Sequence, residues 1–305
     1  MWVETMAKEP LMSTAVYTVD GGREPFLIPE NKGHEAMVYL TYIIDHYHNL
    51  SDITLFMHAH LVAWHNNVLL HEASPNLVRM LSSPKVIRDG YFNLRCHHDP
   101  GCPAHIRPGI DDDPKNLKPQ ARVFAKAWTE LFPGIAVPEV VAQPCCAQFA
   151  LSRERIQALP RERYEALRQW LLDTTLEDQL SGRVMEYVWQ FIWTGRAQYC
   201  IKEHICYCDG FGICFGGEEQ HRHYFELDKE QRALRKAVGD IEHPVATGTR
   251  EPAGVPTHNV AKAKKRIAAV DAEMVRLRQA AVERGRSAAS RALQVGRPWR
   301  KGDGF

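Results

Sequence analysis

The residues Met57-His58-Ala59-His60, followed by Trp64-His65-Asn66, crowd three imidazoles into one short stretch. On an extended chain, residues i and i+2 point to the same face. His58 and His60 are therefore expected to stand side by side, with His65 returning from the next turn. Neutral imidazoles suit Zn, Cu, Fe or Ni, which makes this trio the candidate for a divalent or transition-metal centre. The competing role is that of hydrogen-bonding side chains lining a polar cleft. Further donors sit in Cys96-His97-His98-Asp99, where Cys96, His98 and Cys102 offer a second, smaller clip. The trio leaves the metal's identity open.

Cysteine is the other reactive residue type. There are 8, and Cys96, Cys102, Cys145, Cys146, Cys200, Cys206, Cys208 and Cys214 are clustered. None forms a Cys-x-x-Cys pair, so zinc-knuckle and thioredoxin signals are absent. An even, clustered set reads as disulfides, with all eight as candidates. Cys96 and Cys102 enclose a Pro100-Gly101 turn, which suits a small disulfide loop. Adjacent Cys145 and Cys146 pair with each other only through a strained ring, so they are expected to bond elsewhere or stay as buried thiols. The run from Cys206 to Gly212 is glycine-rich but lacks a phosphate-binding pattern, and reads as a stapled loop.

The elements that must hold these groups follow from apolar periodicity. Residues 1–30 read as an irregular lead-in, with a strand at Ala15 to Val19 and a turn at Asp20-Gly21-Gly22. From Glu35, Met37, Leu40, Ile44 and Tyr47 recur at helical steps. Ile53 to Met57 is a compact apolar run, most simply a buried strand that delivers His58 at its carboxyl end. A helix running into a buried strand is the rhythm of an α/β domain, with a mixed or mostly parallel sheet flanked by helices. Open sheets of that kind place ligands at the carboxyl ends of their strands. Tyr91 to Cys96 and Val137 to Ala142 read as further strands. Gln120 to Leu131, Ser152 to Asp173 (with an internal Pro160) and Gly182 to Trp193 read as helices. Three domains result: a lead-in over 1–30, a core over 31–217 closed by the Cys-rich segment, and a basic helical extension over 218–305 with a linker at His243 to Thr257.

The 305-residue chain has 45% apolar and 25% charged residues, an ordinary globular composition. Its formal net charge is +1, from 38 basic and 37 acidic residues. No global field points to nucleic acid, so a small-molecule substrate is the expected partner. No apolar stretch approaches the roughly 18 residues of a spanning helix. Met1 to Ala15 carries Glu4, Lys8, Glu9 and Pro10 where a signal peptide has its apolar region. Disulfides, by contrast, belong to oxidising compartments, so the compartment stays open. From Val255 to Phe305 there are 12 Lys or Arg against 4 Asp or Glu. The stripe Ile267, Val270, Met274, Leu277 and Ala281 there suits docking on the core or self-association.

Four segments carry a family resemblance: Asn31 to Met37, Asp52 to His60, Asn93-Leu94-Arg95-Cys96, and Gln143 to Phe149. Together they resemble a family of uncharacterised fungal proteins marked by the Asn-Leu-Arg-Cys motif. The resemblance runs from about Asn31 to Gly217 and implies a secretory-pathway origin but no established activity. It makes Asn93, Arg95, Gln148, Trp64, His60 and His65 candidate binding residues. Members of that family carry more chain before the first helix, so the N-terminus is expected to be truncated. A more distant similarity joins Gln148 to Ile156, with Tyr164 and Trp170, to GT-A-type glycosyltransferases. It implies a GT-A/Rossmann-like sheet, a sugar-nucleotide donor, and Glu186 as the base that activates the acceptor hydroxyl, with His58 beside it as a catalytic candidate. The departure from that pattern is His58-Ala59-His60 where those enzymes carry Asp-x-Asp; Asp111-Asp112-Asp113 lies in a Pro-rich loop instead. Three functions compete on these grounds: a glycosyltransferase-like enzyme, a histidine-bound transition-metal tailoring enzyme, and a non-catalytic scaffold.

Overall fold

A computed structural model of the chain describes residues 2–19, 26–109, 118–243 and 260–305. Two compact units are present, Met1–Glu203 and His204–Phe305. In the first unit the chain opens with α1 (Trp2–Met6) and continues through coil to α2 (Glu35–His46). Gly33 makes the turn into α2 at φ +75°, and a Cβ there would stand 2.6 Å from a methyl of Leu171. The apolar spacing read from the sequence is the buried face of α2: Met37, Leu40, Ile43 and Ile44 are sealed from solvent.

After α2 come β1 (Ile53–Phe56), α3 (Ser74–Met80), α4 (Ser83–Asp89) and β2 (Tyr91–Asn93). Prolines occupy the first turns of α3 and α4, where their missing N–H has no helical partner to lose. Next are α5 (Pro119–Leu131), β3 (Phe149–Ser152), α6 (Arg153–Gln157), α7 (Arg161–Asp173), α8 (Asp178–Glu186) and α9 (Trp189–Thr194).

The sheet corrects the expected fold class. Its order is β1-β3-β2, and β3 runs antiparallel to both neighbours. This is not a mixed or mostly parallel GT-A/Rossmann-like sheet: the unit is largely helical around a small antiparallel sheet. The physical reason lies in the order of events along the chain. β1 and β2 are parallel to one another and are joined by the helices α3 and α4, which gives the βα rhythm seen in the sequence. The slot between them is then filled by a strand arriving from the opposite direction, which no periodicity announces. The fold that the glycosyltransferase similarity implied is absent with it.

Smaller corrections have local causes. Ala15 to Val19 is coil. Val137 to Ala142 is extended loop held by single bridges, Val141 to Ile106 and Ala142 to Gln198. The helix expected over Ser152 to Asp173 is two helices: the Ser152 hydroxyl caps α6 by accepting from Arg155 N at 3.1 Å, and Pro160 starts α7. The Asp20 turn, Asp111 to Asp113 and the linker beyond His243 fall outside the described residues.

The core of this unit is aromatic. On β3, Phe149 meets Phe56, Tyr39, Tyr91 and Trp189 with ring centroids 5.2–5.8 Å apart. Trp128 of α5 packs on Phe132 and on Phe191 of α9. Such rings bury large apolar areas, so these tilted and edge-on contacts add to the sheet's few ladder bonds.

The second unit begins with a π-turn over Cys206–Gly210 and continues as α10 (Glu218–Glu242), α11 (Val260–Gly285) and α12 (Ala288–Gln294). α10 and α11 pack together along Val238, Ala263 and Ile267. Of the stripe Ile267, Val270, Met274, Leu277 and Ala281, all but the half-buried Leu277 are buried, and Ile267 packs in the cluster with Val238 of α10. Arg266–Glu230 and Arg235–Asp271 pairs span the two helices at 2.7 Å. Gly285 lies so close to Gly212 that a Cβ would meet its carbonyl oxygen at 1.9 Å. Among the described residues no helix is long and apolar enough to cross a membrane.

Candidate functional site

Antiparallel insertion of β3 has a consequence at one edge of the sheet. β1 and β2 end there and β3 begins there, with Phe56, Phe149 and Asn93 in register. The segments after Phe56 (His58 to Asn67), after Asn93 (Arg95 to Asp99) and before Phe149 (Gln143 to Gln148) therefore converge. The N-terminus of α2 and the C-terminus of α8 reach the same edge through Glu35 and Glu186.

A buried amide framework orders these loops. Gln148 accepts the backbone N–H of His58 at 3.0 Å and donates to Asn66 Oδ1 at 2.9 Å. Asn66 donates to Ser74 Oγ, whose hydroxyl donates to the His60 carbonyl at 2.7 Å. Asn67 accepts the Cys96 N–H and donates to the Leu94 carbonyl, both at 2.8 Å. Buried polar groups have to be paired, and here the pairing is what curls residues 58–74 back on themselves. Asn93 accepts the Arg95 N–H at 3.0 Å and donates to the Pro144 carbonyl at 2.8 Å. The Asn-Leu-Arg-Cys segment is thus a brace between the histidine loop and the turn before β3.

The loop brings the three imidazoles together. His58, His60 and His65 each offer a nitrogen, and these nitrogens all lie within 4.8 Å of one another. His58 Nδ1 and His65 Nε2 are 3.3 Å apart. The other ring nitrogen of His58 is buried without a hydrogen-bond partner and lies 3.9 Å from Glu35 Oε2. His65 is buried, His58 half-buried and His60 exposed, so the cluster opens outward at His60. Trp2 of α1 reaches across it, its indole N–H donating to the Ala59 carbonyl at 2.8 Å.

Burial sets the charge states. Desolvation, followed by repulsion from His65 and His60, pulls the pKa of His58 down to about 4. His65 is lowered by the same cause, with Arg95 adding to it. Both rings are therefore neutral at pH 7 and able to give a lone pair. Glu35, in contrast, is pushed up to about 7 by desolvation, opposed by the α2 backbone amides and reinforced by Glu186. Glu186 is raised by burial against the opposing pull of the Cys146 N–H, which it accepts at 2.6 Å.

The remaining sequence candidates are distributed around this centre. Trp64 is exposed, and the Arg95 guanidinium stands over its ring at 5.2 Å. Leu61 and Val62, on the same loop, are also exposed apolar side chains. Asn93, Arg95 and Gln148 are buried and engaged in the brace. His97 and His98 are not part of the trio: His98 donates to the Ile201 carbonyl at 2.7 Å, and His97 accepts from Val68 N at 3.5 Å with its Nδ1 3.8 Å from Glu203.

The cysteines correct three expectations. Cys102 pairs with Cys200 rather than with Cys96, so neither the small loop nor a Cys96–His98–Cys102 clip forms. Cys145 and Cys146 pair with each other, and Cys208 pairs with Cys214. No described cysteine is free. The vicinal pair sits beside Glu186, in a turn with φ +83° at Cys146 and +46° at Ala147.

Glu35 escaped the sequence reading. It stood in the Asn31 to Met37 motif as the first residue of an apolar helix, and an acidic residue in a first turn is common helix chemistry. Its proximity to His58 needs the sheet edge to be assembled first.

Comparison with family models matches residues 1–209 to a family described as "Protein of unknown function (DUF3431)". No curated protein and no solved structure matches the chain.

Proposed function

Because the chain belongs to this DUF3431 family, whose description states no activity, we propose from the cleft itself that it is a metal-dependent enzyme acting on a small molecule. His58, His60 and His65 would hold a divalent transition metal. The observation that carries the reading is the imidazole trio itself, with ring nitrogens within 4.8 Å of each other. The fit can be tested against coordination geometry. Two nitrogens on a tetrahedral Zn²⁺ at about 2.0–2.1 Å are separated by about 3.3 Å, and His58 Nδ1 and His65 Nε2 stand at 3.3 Å. The lowered pKa values of His58 and His65, which leave both rings neutral at pH 7, support the same donor role. A cation held in this way acts as a Lewis acid toward a substrate oxygen.

The chain's own groups would do the rest. Glu35 lies against His58 with a carboxyl poised near pH 7, which is where a proton-transfer group is most effective. The exposed apolar side chains of Leu61, Val62 and Trp64 would take the body of the substrate, with Trp2 beside them through its bond to the Ala59 carbonyl. Burial first, with like-charge repulsion from Glu186 as a smaller contribution, would favour the protonated form of the Glu35 carboxyl. The amide brace serves preorganisation: it fixes the backbone on both sides of His58 and His60.

The test is thermal. At 100 times its dissociation constant, Zn²⁺ should stabilise the wild-type chain by about 2.7 kcal/mol, read as a rise in melting temperature. His65→Ala should lose that rise, whereas Glu35→Gln should keep it. A wild-type protein indifferent to Zn²⁺, Cu²⁺, Fe²⁺ and Ni²⁺ would overturn the reading in favour of a non-catalytic polar cleft.

A further inference from the structure

The same edge of the sheet carries a second cluster. Cys145 Sγ, Cys146 Sγ and a carboxylate oxygen of Glu186 all lie within 4.8 Å of one another. While the two sulfurs are bonded to each other they offer little to a cation. The turn that holds them has other supports besides that bond. Cys145 N donates to the Pro100 carbonyl at 3.1 Å, and Cys146 N donates to Glu186 Oε1 at 2.6 Å. Just before the pair, the Gln143 side chain accepts from the Tyr91 hydroxyl at 2.7 Å and donates to the Glu186 carbonyl at 2.5 Å. Asn93 ties down Pro144 from the other side. Gly101 presses so close beneath that a Cβ would stand 2.0 Å from the Gln143 carbonyl oxygen.

We propose that the vicinal Cys145–Cys146 disulfide is a redox gate over a second, soft-metal site formed by the two thiolates and Glu186. Opening takes two electrons and two protons from a dithiol reductant, which leaves as its own cyclic disulfide; the S–S bond breaks and two S–H bonds form. A thiophilic divalent cation then displaces both thiol protons and is bound by two sulfurs and one carboxylate. Because the backbone of the pair is pinned by hydrogen bonds to Glu186 and Pro100, and the Gln143 side chain anchors the chain just before it, the freed sulfurs stay together beside the carboxylate, and ordering them costs little on binding. Soft thiolates select Zn²⁺, Cd²⁺ or Cu⁺ over the hard cations. Cys146 is half-buried, so a reductant has a sulfur to attack. The site is chemically distinct from the imidazole trio and does not require it.

Cadmium is the probe, because thiolate-to-cadmium charge transfer gives an ultraviolet band that imidazoles do not give. The full chain is treated with dithiothreitol, desalted without air and titrated with Cd²⁺, and alkylation with mass mapping reports which sulfurs are free. The expected result is one equivalent of the band per chain gained on reduction. It should be missing from a Cys145→Ser, Cys146→Ser double variant reduced in the same way, which subtracts any contribution from the other cysteines. Glu186→Gln should weaken Cd²⁺ affinity at least about tenfold. Oxidised protein offers the imidazoles alone and should show no band, so failure here is separable from failure of the histidine centre. A band of equal size in the double variant would overturn the proposal. So would its absence from reduced protein when alkylation of a parallel, cadmium-free sample shows Cys145 and Cys146 both free, or a vicinal pair that stays oxidised while Cys102 and Cys200 are reduced.

Discussion

Asn67→Ala probes the brace that shapes the histidine loop. Asn67 is fully buried, and its side chain satisfies two backbone groups at once, the Cys96 N–H and the Leu94 carbonyl, each at 2.8 Å. Alanine removes both partners and leaves a donor and an acceptor sealed in the interior. Each orphaned group costs about 1–3 kcal/mol, so the pair predicts a loss of about 2–6 kcal/mol. Urea unfolding followed by tryptophan fluorescence reads this as a lower midpoint at unchanged slope. Asn67→Asp sharpens the test: it keeps the acceptor for Cys96 N–H but turns a carboxylate toward the Leu94 carbonyl, so it should not rescue stability. The functional readout moves with the structural one, because the same loop carries His60 and His65; Zn²⁺ affinity should fall as well. A loss below about 1 kcal/mol, or Asn67→Asp behaving like wild type, would refute the claim that these two bonds hold the loop.

Other expectations follow from the same contacts. Glu35 has a raised pKa, so in chelator-treated protein its contribution is fully present below its unfolded value near 4.5 and is lost as pH rises through about 7. Glu35→Gln should therefore remove a falling limb of stability between pH 4.5 and 7, with a ceiling of about 3 kcal/mol, in a series of melts across pH. His58, lowered to about 4, has the opposite sign: its contribution is present above 6.5 and lost as pH falls through 4. Zn²⁺ binding measured by titration calorimetry should weaken over that acid limb as protons compete for the rings. Gly101→Ala should cost at least about 2 kcal/mol in thermal unfolding, since φ is +131° and the new Cβ meets backbone at 2.0 Å; a change within 0.5 kcal/mol would contradict the packing described.

Much of the local structure was legible and the assembly was not. Met37, Leu40 and Ile44 mark α2 because a helix buried on one face has to repeat its apolar residues every three to four positions. Ile53 to Phe56 reads as a strand for the same kind of reason, and it does deliver His58 at its carboxyl end. Strand sense is a different matter. The parallel relation of β1 and β2 is visible as a helical crossover, but the insertion of β3 between them depends on partners more than 50 residues away in sequence. The neighbourhood of Glu35 and His58, and the placing of the Cys145–Cys146 pair on Glu186, depend on that insertion. The vicinal disulfide was read against because a ring of adjacent cysteines is strained in isolation; here Glu186, Pro100 and Gln143 hold its backbone in place from outside the ring. The stripe on α11 is legible as apolar; that its Ile267 packs with Val238 of α10 is not.

The most direct test is the metal content of the purified chain after equilibration with zinc and gel filtration, under oxidising conditions that keep the sulfurs paired. Elemental analysis should give one zinc per wild-type chain and none above background in a His58→Ala, His60→Ala, His65→Ala triple variant whose circular dichroism matches wild type. A wild-type chain emerging without zinc, or a folded triple variant that retains it, would contradict the assignment of this sheet edge as a metal centre.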